Sequence, residues 1–164
     1  MGRLVVIEGL DGAGKSTLTH RLLGVLTARG ARATTVAFPR YDTDIHAELA
    51  RDALHGRLGD VADSVHAMAL LFALDRRAAA AGLREALAGH DLVLVDRYVA
   101  SNAAYGAARL HQDAYGEFVT WVHDLEVGRF HLPLPDRHLL LDVPRAVAAR
   151  RAEHREQTQP DRAR

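Results

Sequence analysis

Four short apolar runs without polar alternation punctuate the chain: 4–7, 33–38, 92–95 and 139–143. Runs of this length, rich in β-branched residues, predict strands buried on both faces. Between them the apolar positions repeat at helical spacing. Leu18, Leu22, Val25 and Leu26 mark a helix over 15–29 that stops at Gly30, and Ile45 to Leu54 form a second, closing near Gly56. Asp63 is the expected N-cap of a long helix carrying Val65, Met68, Phe72 and Arg76 on one face, with Gly82 as a place for a kink or division. A further helix is expected from Val99, another over 114–127 around Trp121, and a last one from Arg145.

Strands alternating with helices predict an α/β fold, a parallel sheet with helices on both faces, in a single domain over residues 1–164. Ligands of such sheets bind at the carboxyl ends of the strands. The chemically distinctive residues fall there: 9–16, 38–41 and 96–98.

Composition narrows the function. Basic and acidic residues balance at 21 each, which argues against a nucleic-acid-binding surface. There is no cysteine, so disulfides and thiolate metal sites are excluded. The apolar run after Arg3 is too short for a signal peptide or a membrane span, and a cytoplasmic setting without membrane partners is expected. Of the 21 basic residues only Lys15 is lysine. A chain that otherwise uses arginine throughout is expected to keep its lysine where a compact charge is required.

Lys15 completes Gly9-Leu10-Asp11-Gly12-Ala13-Gly14-Lys15-Ser16, a G-x-x-x-x-G-K-[ST] phosphate loop between a predicted strand and a predicted helix. Its backbone N–H groups and the helix N-terminus would cradle phosphates. Lys15 would reach the β- and γ-phosphates of ATP, and Ser16, followed by Thr17, would ligate Mg²⁺. Asp96, at the end of a strand, fits either a second metal carboxylate or a cap for the next helix. An anionic acceptor brought to ATP also needs cations. Two unit charges about 4 Å apart repel by roughly 4 kcal/mol at an effective dielectric of about 20. Arg97 and Arg40, at strand ends, suit that task.

The segments 8–17, Phe38-Pro39-Arg40-Tyr41, Phe72-Ala73-Leu74-Asp75-Arg76 and Asp96 to Tyr105 resemble, in order and spacing, the thymidylate kinase family, its actinobacterial members above all. The resemblance runs from Leu4 to the end of the chain and implies a P-loop NTPase-like fold, ATP and thymidine monophosphate (dTMP) as substrates, Mg²⁺ and a homodimer. It implies that Phe38, Pro39, Arg40 and Tyr41 line the dTMP site, that Phe72 stacks on the base, and that Arg76 bonds a base carbonyl. Asn102 and Tyr105 would line base and sugar, and Asp11 would approach the sugar or a Mg²⁺. The region 145–164 would be an arginine-bearing lid, with Arg155 and Arg162 as candidates to meet the phosphates, and family members continue for several dozen residues beyond it. From the residues alone, Phe72 also fits a core aromatic. Another nucleotide or deoxynucleoside kinase, or an inactive nucleotide-binding module, shares most of these signals.

Overall fold

The computed structural model describes residues 2–158, apart from the side chains of Arg155 and Glu156. Strand β1 (Arg3–Gly9) leads through the phosphate loop into α1 (Lys15–Ala28). Strand β2 (Ala33–Ala37), α2 (Ile45–Leu54), α3 (Val65–Gly89), β3 (Leu92–Asp96) and α4 (Val99–Arg109) follow. Next come α5 (Glu117–His123), a π-helical stretch over Asp124–Arg129, β4 (Arg137–Leu141) and α6 (Arg145–Thr158). All pairings are parallel in the order β2-β3-β1-β4.

The central strands are apolar throughout their middles, Leu4 to Ile7 and Leu92 to Val95, because both faces are covered. Leu4 and Val6 of β1 and Val93 and Val95 of β3 point to the face where α3 contributes Ala80, Leu83 and Leu87. Each fully buried leucine or valine there contributes roughly 1.5–3 kcal/mol. Ile7 and Leu94, equally buried, point to the other face, which α1 covers in contact with β1, β2 and β3. The register sets Ile7 beside Asp96, so the loop after β1 and the residues after β3 emerge together.

Several boundaries differ from expectation for identifiable reasons. The N-cap of α3 is Ser64, not Asp63: the Ser64 hydroxyl accepts from the N–H of Ala67, while Asp63 belongs to a preceding 3₁₀ turn. Gly82 lies exposed inside one continuous 25-residue helix. The helix expected over 114–127 begins only at Glu117, because residues 113–116 form a turn, and it passes into the π-helical stretch after His123. Strand β4 runs over 137–141 instead of 139–143. Its partner β1 ends at Gly9, opposite Leu141, so residues beyond have no strand to pair with.

Candidate functional site

Two cavities open at the carboxyl end of the sheet. The first, about 610 Å³, is lined by the phosphate loop with Thr17, Arg21, Asp96 and Arg97. Gly12 and Gly14 adopt positive φ, 81° and 98°, a conformation that lets the loop turn its N–H groups inward. The Lys15 ammonium bonds the carbonyl oxygens of Gly9 and Leu10, both at 3.0 Å, and so lies across the loop. Ser16 and Thr17 open onto this pocket at the start of α1. Asp96 also faces it. The N-cap of α4 is Tyr98, whose own side chain makes no cap bond.

Helix α6 packs directly on this loop. A Cβ at Gly12 would stand 2.1 Å from the carbonyl oxygen of Ala148, which makes glycine obligatory there. From α6, Arg151 lines the phosphate pocket. Arg162 lies outside the described residues, as does the side chain of Arg155.

The second cavity, about 340 Å³, is lined by Pro39, Tyr41, Phe72, Arg76, Asn102 and Tyr105 among others. That is a volume suited to a small ligand, with an apolar lining and a few convergent polar groups. Phe72 both packs beside Ala50, Ala53 and Met68 and faces the cavity, so its two readings coexist. Arg40 lines neither cavity. Its guanidinium bonds the Asp75 carboxylate at 2.7 Å, the Asp75 carbonyl at 2.8 Å and Asp44 at 2.9 Å, and Asp75 is fully buried.

The cavities share Asp11, Phe38 and Arg97. Arg97 has φ 66°, a left-handed conformation costing roughly 1–3 kcal/mol that the surroundings must impose. Glu8 imposes it from one residue beyond the β1–β3 register: its carboxylate accepts from the N–H of Tyr98 at 3.0 Å and from the Ser101 hydroxyl at 2.6 Å. The guanidinium then reaches Asp11 at 2.5 Å, Ser101 at 3.2 Å and the Tyr105 hydroxyl at 3.4 Å, and lies over the Tyr105 ring. The Tyr105 hydroxyl in turn donates to Asp11 at 3.1 Å. Burial, the largest influence on Arg97, acts to lower its pKa, but the Asp11 carboxylate and the hydrogen bonds to Asp11 and Tyr105 outweigh it and hold the group above its usual range.

Below the second cavity lies a group the sequence did not single out. Glu126, in the π-helical stretch, is fully buried and accepts from Arg76 Nε at 2.5 Å and Nη2 at 2.8 Å, a bidentate pair. It also accepts from Asn102 Nδ2 at 2.8 Å. An acidic residue between Leu125 and Val127 in an apolar helix was the available signal.

The thymidylate kinase family model matches residues 7–163. The thymidylate kinase of Mycobacterium tuberculosis is 50% identical over 161 residues, 98% of this chain and 75% of that protein. The chain belongs to the thymidylate kinase family. The human thymidylate kinase is 35% identical over 92% of this chain, which spans 65% of the human protein. Two solved thymidylate kinases share the fold, those of Ehrlichia chaffeensis and Candida albicans. Their TM-scores are 0.69 and 0.65 at 20% and 24% identity, over 99% and 90% of this chain and 91% and 66% of theirs. The P-loop kinase fold expected from the sequence is therefore the fold observed. As a thymidylate kinase family member the chain is a phosphotransferase.

Proposed function

We propose that the first cavity takes ATP and the second dTMP, and that the chain transfers the γ-phosphate of ATP to dTMP, giving ADP and thymidine diphosphate. The observation that carries this reading is the junction of the two cavities at Asp11 and Arg97. A buried cation at the meeting point of two anionic substrates offsets the repulsion between them.

In this reading an oxygen of the dTMP phosphate attacks the γ-phosphorus while the bond to the β-phosphate oxygen breaks. Catalysis rests on positioning and charge neutralisation, without a covalent enzyme intermediate. Lys15 leaves the Gly9 and Leu10 carbonyls for the β- and γ-phosphates, and Arg97 meets the acceptor phosphate. Among the described side chains of α6, Arg151 is the cation that lines the phosphate pocket. Arg40 braces the acceptor side through Asp75 and Asp44 and reaches a phosphate only by exchanging one of them.

Mg²⁺ suits the donor set of the phosphate pocket. Ser16 and Asp96 offer hard oxygen ligands there, and among the described residues no cluster of three or more His, Asp or Glu side chains is arranged for a metal. That fits an ion completed by phosphate oxygens and water. Bound there, Mg²⁺ would neutralise charge on the β- and γ-phosphates. Asp11, bonded to Arg97 and Tyr105, serves here as counter-ion, and ligation of a metal would need its release.

A homodimer, carried from the family, and a cytoplasmic setting, carried from the short apolar run after Arg3, belong to the same reading. Among the described residues no helix is long and apolar enough to cross a membrane. Sedimentation measures the dimer.

The experiment is coupled ADP release with Mg·ATP, with and without dTMP, on this chain and on Lys15→Ala. Release that requires dTMP and falls at least a hundredfold in the variant is expected. Release that ignores dTMP, or that survives loss of Lys15, contradicts the reading.

A further inference from the structure

The buried carboxylate of Glu126 does more than neutralise Arg76. Asn102 Nδ2 donates both its hydrogens, one to Glu126 at 2.8 Å and one to the carbonyl of Ala69 at 3.0 Å. A carboxylate and a carbonyl can only accept, so the Asn102 amide has one permitted orientation. Its remaining group is the carbonyl oxygen Oδ1, which makes no hydrogen bond among the described residues, and Asn102 lines the second cavity. Arg76, with Nε and one Nη2 hydrogen on Glu126, keeps its other N–H groups and lines the same cavity. The wall thus offers a donor at Arg76 and an acceptor at Asn102.

That order matches one kind of pyrimidine edge. Thymine and uracil carry an imide, with a 4-carbonyl that accepts and an N3–H that donates. Cytosine has the reverse, a 4-amino group that donates and a bare N3 that accepts. Against this wall cytosine would set donor against donor and acceptor against acceptor, leaving buried polar groups unpaired.

We propose that Glu126 is the positioning residue that makes the cavity selective for an imide-bearing pyrimidine, by holding Asn102 with its carbonyl oxygen towards the base. The proposal rests on dTMP as acceptor. It assigns to Glu126 no contact with substrate: the residue acts through Asn102 and Arg76.

Glu126→Gln keeps the shape but replaces one acceptor oxygen with a donating amide, so Arg76 and Asn102 must share the one remaining acceptor and Asn102 is held chiefly by the Ala69 carbonyl. The test measures kcat and KM for dTMP and for deoxycytidine monophosphate in both proteins, with KM for ATP as the internal control. The expected result is a fall of at least tenfold in the ratio of the two kcat/KM values, through KM for the pyrimidine nucleotide, with KM for ATP unchanged. A ratio that stays at the wild-type value overturns the role of Glu126 alone. Failure of the wild-type chain to use dTMP at all overturns the acceptor assignment beneath it. A second measurement needs no variant. N3-methylated dTMP, which lacks the donating N3–H, should bind the wild-type chain at least tenfold more weakly than dTMP, and equal binding contradicts an acceptor at Asn102.

Discussion

Asp91 ties the turn after α1 to the start of β3. Its carboxylate accepts from the backbone N–H of Arg32 at 3.0 Å and from the guanidinium at 2.7 Å. These side-chain and backbone hydrogen bonds hold its pKa down at about 2. A carboxyl whose pKa is depressed on folding contributes stability above its unfolded value of about 3.9, and that contribution is lost as pH falls towards the folded value. Asp91→Asn should therefore unfold at lower denaturant than the parent at pH 7, and the gap should narrow as pH drops from about 4 towards about 2. The pair is exposed, so the effect is small, and urea titrations across that range measure it. Residues of this local kind were the most legible. The phosphate loop, Lys15 and the Phe72–Arg76 spacing each declare themselves within a few positions. Glu126 did not, because its partner Arg76 lies 50 residues away and the local hint, an acidic residue between Leu125 and Val127, names no partner. Arg40 is assigned to the phosphate by its charge, its place at a strand end and the family resemblance, and only the fold shows Asp44 and Asp75 around it.

Helix α4 carries the second cavity on one side and packs against α5 on the other. The contact passes through Gly106, where a Cβ would stand 2.0 Å from Phe118 Cε1. The Phe118 ring is buried, edge-on to His66 and tilted against Trp121, and has nowhere to withdraw. Gly106→Ala should destabilise by about 1–3 kcal/mol, as overpacking does despite the better helix propensity of alanine. Thermal unfolding measures it; an unchanged or raised Tm would show that α4 and α5 can slide apart. At this scale sequence reading located every strand and nearly every helix, because periodicity reports burial. It failed where tertiary context sets the boundary: the end of β1 fixes the end of β4, and the π-helical stretch after α5 has no periodic signature of its own.

For the whole molecule the decisive arrangement is the meeting of two cavities built from separated segments. Parallel pairing of β1 with β3 brings Asp11 and Arg97, 86 residues apart, into an ion pair at that junction. Glu8 fixes the turn that aims Arg97, and α6 closes over the loop at Gly12. The most direct test is Arg97→Ala, with ATP affinity and dTMP-dependent turnover measured on the same preparation. Near-parental ATP binding is expected with turnover reduced roughly a hundredfold or more, since the lost charge serves the meeting of the two phosphates. Near-parental turnover would contradict it, and would mean that the junction of the cavities is not where the phosphate is transferred.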